Sequence, residues 1–330
     1  MPKSWMSAVD AATQTLSRAA PARQKWIRLM EIAGALAVAL LVYNGLAFNL
    51  ALHGEEHKLR NPETGLLAGA EPRELGPEDS PCAALFIHGF GGAGTDFADL
   101  PERLAKAGWR VHVMLLPGHG THPRDLGRQT PDTLLSAVHD EVHRLRERHT
   151  TVLLISHSMG GALSTLAASE LPIDGLVLGA PYFGVTYRWY YALPPELWGR
   201  ITAPFIRWVY KGKLFMQVNR RDAREHIVCY TWIPATALRT LTRLGARARS
   251  HETLEKIACP VLVLHGRGDI AASPQAMEKA LERMASQNKR VVWLERSNHH
   301  MYWDYDQEQV FDETLAFAQK IREAKNPAPS

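Results

Sequence analysis

The chain predicts an α/β fold built on a mainly parallel sheet flanked by helices, and three observations carry that expectation. Continuous apolar runs at Val152 to Ile155, Leu176 to Leu178 and Val261 to Leu264 suit strands covered by helices on both faces. Helix-like stretches alternate with them at Asp96 to Ala107, Pro131 to Arg148 and Ser273 to Ser286. Four apolar runs end in turns rich in glycine or in groups capable of acid, base or nucleophilic chemistry. A length of 330 residues with 46% apolar content is enough for one α/β domain of ordinary size plus extra segments.

The four turns come in an informative order. Ala83 to Ile87 runs into His88-Gly89-Phe90-Gly91-Gly92, where glycines let backbone N–H groups approach a bound anion. Thr151 to Ile155 runs into Ser156-His157-Ser158-Met159-Gly160-Gly161 and the helix-like Ala162 to Ser169. Serine is a weak nucleophile in water, so a protein that uses one lifts it onto a tight turn beside a base and backbone donors. Small residues two before and two after Ser158 serve that turn, with Ser156 standing where the usual pattern has glycine. The competing reading is an ordinary helix start capped by Ser156 or Ser158. Val261 to Leu264 then leads to His265-Gly266-Arg267-Gly268-Asp269, and Arg290 to Leu294 precedes Ser297-Asn298-His299-His300. Oxyanion glycines, serine, acid and histidine thus follow one another as a strand-end serine hydrolase requires. Asp269 competes with a plain surface turn, in which case Asp304 or Asp306 supplies the acid.

Residues from about 81 to 320 resemble the α/β-hydrolase superfamily, in particular its carboxylesterase and monoacylglycerol-lipase branch with a serine aminopeptidase S33-like domain. The resemblance rests on His88-Gly89-Phe90, Pro117-Gly118-His119-Gly120, His157 to Gly161, His265 to Asp269, and Ser297-Asn298-His299 followed by Asp304 and Phe317. It implies that Ser158 attacks an acyl carbonyl, that His299 takes and returns the proton, and that Asp269 orients the imidazolium. The N–H groups of Phe90 and Met159 then hold the oxyanion. In that branch an aspartate lies five residues beyond the histidine, which selects His299 over the adjacent His300 through Asp304. His88 and His119 read as loop-shaping residues. No metal or organic cofactor is implied.

Outside this core, Ile32 to Leu52 is an uncharged run of 21 residues rich in Ala, Leu and Val, long enough to span a bilayer. Asn44 and Asn49 weaken that reading, and a buried core helix or an amphipathic surface segment competes with it. A cleaved signal peptide fits less well, because 31 residues precede the run. Arg18, Arg23, Lys25 and Arg28 before it outnumber Lys58 and Arg60 after it, predicting residues 1–31 in the cytoplasm and the remainder on the far side. Residues 53–80 read as a linker with one short strand, and 81–330 as the hydrolase domain. Cys82, Cys229 and Cys259 have neither disulfide-framework nor metal-ligand spacing, although one pair can bridge in an oxidising compartment. A net charge of +4 and the absence of a recognisable module give no nucleic-acid partner.

Between Gly179 and Ile257 the rhythm breaks and aromatic residues gather: Tyr182, Phe183, Tyr187, Trp189, Tyr190, Tyr191, Trp198, Phe205, Trp208, Tyr210 and Phe215. This predicts a cap at about 182–250, serving either as an apolar lid for an acyl chain or bilayer, or as a small core of its own. Its interspersed basic residues read as a solvated face that can attract anionic lipid headgroups. The expected activity is hydrolysis of small acyl esters through an acyl-enzyme, at a membrane. A peptidase or amide hydrolase would need a carboxylate for the substrate amine, with Glu196, Asp222 and Glu225 as candidates. A third possibility is a silent hydrolase fold acting as a membrane-tethered scaffold.

Overall fold

The computed structural model describes residues 4–187, 192–212 and 216–325. The aromatic and basic positions Arg188, Trp189, Tyr190, Tyr191, Lys213 and Phe215 lie outside them. In chain order come α1 (Ser4–Glu56), β1 (Arg73–Leu75), β2 (Cys82–Ile87), α2 (Leu100–Lys106), β3 (Arg110–Val113), α3 (Pro123–Gly127), α4 (Pro131–Arg146), β4 (Thr151–His157), α5 (Met159–Glu170) and β5 (Gly175–Gly179). There follow α6 (Pro195–Thr202), β6 (Trp208–Tyr210), β7 (Trp232–Pro234), α7 (Ala235–Ala248), α8 (His251–Leu254), β8 (Val261–Gly266), α9 (Pro274–Arg283), β9 (Lys289–Leu294) and α10 (Gln307–Lys325).

The chain divides into two compact units, Met1–Asn49 and Leu50–Ser330. Gln24–Glu56 of α1, which begins in the first unit and ends in the second, is a 33-residue stretch of mean hydropathy 1.9, long and apolar enough to cross a membrane. Leu36, Leu41 and Leu46 along it are exposed. Asn44 and Asn49 donate their side-chain amides to the carbonyls of Leu40 and Gly45 one turn back, each at 2.8 Å.

In the second unit a seven-stranded sheet has the order β1-β3-β2-β4-β5-β8-β9, parallel except for β1, which pairs antiparallel with β3. Because side chains alternate across a strand, the buried strands feed two cores. Leu85, Ile87, Leu154, Leu178 and Val263 face α4, α5 and α7, while Phe86, Ile155, Val177 and Leu264 face α2 and α10. Thr130 caps α4 through Thr133 with Pro131 at its first turn, and Ser273 caps α9 ahead of Pro274, so two of the three expected helices begin where their sequence signals lie. The stretch expected from Asp96 instead makes a short 3-10 turn at Gly94–Phe97, and α2 begins only at Leu100. The stretch 53–80 is helical to Glu56, bridges Arg60 with Leu67 and contributes β1 to the sheet edge. Cys82, Cys229 and Cys259 form no disulfide.

The parallel arrangement brings the C-terminal ends of β2, β4, β5, β8 and β9 to one edge of the sheet. Over that edge lies the insertion between β5 and β8, with a two-stranded antiparallel ribbon of β6 and β7 and helices α6 to α8. Its aromatic residues divide in two. Tyr182, Phe183 and Trp208 are buried, whereas Tyr187, Trp198, Phe205 and Tyr210 are exposed.

Trp109 is the largest fully buried side chain, packed in the α2/α10 core with the Arg322 guanidinium 5.2 Å from its ring. Trp109→Ala should cost about 3–5 kcal/mol, measured as a shift in the urea midpoint of the detergent-solubilised chain.

Candidate active site

Ser158 stands between β4 and α5 with φ 53° and ψ −113°, a left-handed conformation that a non-glycine residue adopts only when its surroundings enforce it. A side chain on Gly160 would collide with the Ile87 carbonyl, and one on Gly161 would meet Pro181. Ser156 fits where glycine is usual because its hydroxyl donates to the Val177 carbonyl on β5 at 3.1 Å. The tight turn, rather than a capped helix start, is therefore what the chain adopts: no side-chain cap bond forms at Ser158.

His299 reaches this turn from the loop after β9. Its Nε2 lies 2.9 Å from Ser158 Oγ, and its Nδ1 lies 2.8 Å from Asp269 Oδ2. The second Asp269 oxygen accepts the N–H groups of Ala271 and Ala272 at 2.8 and 2.9 Å. Asp269 is thus no free surface turn, and it is 2% exposed. Asp304 and Asp306 have other work. Asp304 accepts the N–H groups of Asn219, Arg220, Asn298 and Tyr305, tying the insertion to the loop that carries His299, while Asp306 accepts the N–H of Arg296. The adjacent His300 donates its backbone N–H to the Gln217 carbonyl, and its ring packs 5.0 Å from that of His157.

Burial is the largest influence on His299 and lowers its pKa below the ordinary imidazole value, outweighing the opposing pull of Asp269. Burial alone would raise the Asp269 pKa, yet the facing His299 and His265 hold that carboxyl well below the usual range. The resting site accordingly pairs a neutral imidazole with a carboxylate, the state needed to accept a hydroxyl proton.

Met159 opens α5, so its N–H has no acceptor within the helix. Phe90 lies on the facing β2 turn, and Lys211 Nζ grips its carbonyl at 2.8 Å. His88 shapes the same turn: its Nδ1 bonds the Gly89 carbonyl and its Nε2 accepts the Leu116 N–H. His119 packs 4.8 Å from it ring to ring, and burial pushes its pKa down to about 3.

Three participants were given no role by the sequence, His157 although it stands in the motif around Ser158. Asp96, 1% exposed, accepts the Gly89 N–H and faces His157 Nδ1 at 3.0 Å, while His157 Nε2 bonds the backbone carbonyl of His299 at 3.1 Å. Lys211, grouped by sequence with a solvated basic face, instead lines the cavity that holds Ser158. That cavity has a volume of about 280 Å³ and mainly apolar walls, including Val209, Ile233, Leu238 and Leu241 from the insertion.

The chain is similar to known esterases and lipases. A thermostable monoacylglycerol lipase of Bacillus sp. (strain H-257) is 29% identical over 256 residues, 77% of this chain and 96% of that protein. A carboxylesterase of Bacillus subtilis (strain 168) is 23% identical over 241 residues, 72% and 93% respectively. Among solved structures, that described for LipS and LipT, two metagenome-derived lipolytic enzymes, superposes with TM-score 0.68 at 27% identity, covering 77% of this chain and 99% of that one. The monoacylglycerol lipase of Paleococcus ferrophilus gives TM-score 0.63 at 22% identity, covering 76% and 98%, and shares the fold. A family model described as serine aminopeptidase, S33, matches residues 80–306, around every strand-end turn described above, and the chain belongs to that family of α/β-hydrolases.

Proposed function

We propose that this chain is a membrane-anchored serine hydrolase that cleaves carboxylic esters, monoacylglycerols or related acyl esters, through an acyl-enzyme. The observation that carries the reading is Ser158 Oγ within 2.9 Å of a neutral, carboxylate-oriented His299 at the wall of an apolar cavity. In this reading His299 Nε2 takes the Ser158 proton as Oγ attacks the acyl carbonyl. The N–H groups of Phe90 and Met159 receive the oxyanion, and the collapsing intermediate expels the alcohol, which takes the proton from His299. Water then attacks the acyl-enzyme by the same proton path and releases the acid. The segment at about 182–250 acts as the cap, its apolar residues Val209, Leu238 and Leu241 lying along the acyl chain.

An ester is favoured over an aminoacyl amide by the charges around the cavity. The carboxylates considered for an amine lie elsewhere: Asp222 and Glu225 are exposed, and Glu196 accepts the Val185 N–H. Among the described residues, the only acid on the cavity wall is Asp96, already engaged by Gly89 and His157, and Lys211 would repel an ammonium. The similar monoacylglycerol lipase and carboxylesterase support the same choice. The uncharged run of α1 supports the anchor, and the basic residues before it support an N-terminus in the cytoplasm with the hydrolase on the other side.

Ser158→Ala should lower turnover of p-nitrophenyl esters and monoacylglycerols by at least about a thousandfold and abolish fluorophosphonate labelling. Aminoacyl p-nitroanilides should be poor substrates of the unaltered chain, and retained labelling or a preference for the anilides would refute the assignment. Because burial disfavours the His299 imidazolium, the pH must fall further before the base is lost. The acid limb of kcat/KM against pH should therefore have its midpoint below 6.5, the ordinary imidazole value; a midpoint above it contradicts this account. After alkaline carbonate washing of membranes, the chain should remain in the pellet and enter solution only with detergent.

A further inference from the structure

Behind the triad lies a second group of side chains that the ester chemistry does not use. One ligand atom from each of Asp96, His157 and His300 lies within 4.8 Å of the other two. His157 Nε2 faces the His299 carbonyl, which can only accept, so that nitrogen carries a hydrogen. His157 Nδ1 lies 3.0 Å from the Asp96 carboxylate, which places one ligand atom of each side by side. Asp96 Oδ1 and His300 Nδ1 are also buried without a hydrogen-bond partner among the described residues. Such a surplus of buried lone pairs is satisfied by a cation placed between them.

We propose that Asp96, His157 and His300 bind a divalent transition-metal ion, Zn2+, and that its binding reversibly shuts the neighbouring serine site. Two imidazoles and one carboxylate suit Zn2+ and disfavour Mg2+ or Ca2+, which take oxygen ligands. Tetrahedral Zn2+ with bonds of about 2.0–2.2 Å separates its ligands by about 3.4 Å. Asp96 and His157 are already 3.0 Å apart, and the widest separation, within 4.8 Å, must close by up to about 1.4 Å. The bond from His157 Nε2 to the His299 carbonyl is the outer contact that fixes a metal-bound histidine in its ring orientation. Lys211 on the same cavity opposes a cation, and the Asp96 carboxylate offsets it.

Inhibition follows from position and rests on the proposed ester hydrolysis; metal binding itself does not. The His157 and His300 rings lie 4.9 and 5.5 Å from that of His299. Drawing His157 and His300 onto a metal ion there would shift the His299 backbone that His157 Nε2 holds, and with it the Ser158–His299 distance. The fourth metal position, which three protein ligands leave free, can take water or a substrate oxygen from the cavity.

The test uses the full chain in detergent. Calorimetric titration with Zn2+ and visible absorption with Co2+ should show one tight equivalent in the Ser158→Ala chain, with affinity at least tenfold weaker in Asp96→Asn and His300→Asn. Thermal melts verify folding, and His300→Gln replaces His300→Asn if the latter unfolds. With the serine intact, Zn2+ should cut the initial rate of ester hydrolysis at least tenfold and a chelator should restore it. His300→Asn should turn over at the unaltered rate and ignore Zn2+. Binding that is substoichiometric, or unchanged in both ligand variants, overturns the site, and inhibition that persists in His300→Asn overturns the link to catalysis. Metal binding by a chain that hydrolyses no ester would sink the esterase reading and leave the metal site standing.

Discussion

A positive φ at a serine costs about 1–3 kcal/mol, and the packing around Ser158 is organised to impose it. The Ser158 N–H donates to the Gly179 carbonyl at the end of β5, and its own carbonyl accepts from both Gly161 and Tyr182. Gly160 lets α5 press onto the Ile87 carbonyl at the end of β2. Three adjacent parallel strands therefore converge on one peptide unit. The adjacency of β2, β4 and β5 is what lets their ends meet at this turn. Ser156, bonded to Val177 in the neighbouring strand, shows that the position two before Ser158 accommodates a hydroxyl when the sheet offers an acceptor.

Asp269 and His299, hydrogen-bonded to each other and through His299 to Ser158, are held with similar redundancy, but by loops. Asp269 is fixed from below by the N–H groups of Ala271 and Ala272 and from above by Thr186, which donates to its carbonyl. His299 depends on Asp304, whose two oxygens gather four N–H groups from its own loop and from the insertion. The insertion is thus more than a cover. Its residues Thr186, Asn219 and Arg220 form part of the scaffold that sets the Ser158–His299 distance, so a change in the insertion can alter turnover as well as substrate choice.

Strands such as Val152 to Ile155 were legible because a strand covered on both faces must be apolar throughout. Arg110–Val113, short and carrying Arg110 and His112 beside charged partners on α4 and β1, offered no such run. Ser158, Asp269 and His299 were legible because each follows a strand, and a parallel sheet brings strand ends to one edge whatever the connections between them. Asp96, His157 and Lys211 were not. Asp96 and His157 are 61 residues apart and meet through side-chain direction, and Lys211 projects from an irregular segment without a period that assigns it a face. The aromatic residues of the insertion illustrate the same limit: composition announced them, but only three-dimensional packing separates buried Tyr182 and Phe183 from exposed Trp198 and Phe205.

Residues 53–80, which resemble a linker in their glycine and proline content, are knit into the hydrolase unit from their first turn. Glu55, 1% exposed, pairs with Lys58 at 2.7 Å, and Lys58 donates to the Cys229 carbonyl at 2.8 Å. The next residue, Tyr230, follows directly on that contact: its N–H donates to the Gly91 carbonyl on the turn after β2 at 2.9 Å. Leu67 then donates to Gly120, and Arg60 to Thr121. This stretch is therefore part of the scaffold of the hydrolase unit: a change at Glu55 or Lys58 would reach the turn at Gly91 through Cys229 and Tyr230, although neither residue lies near Ser158 in the sequence.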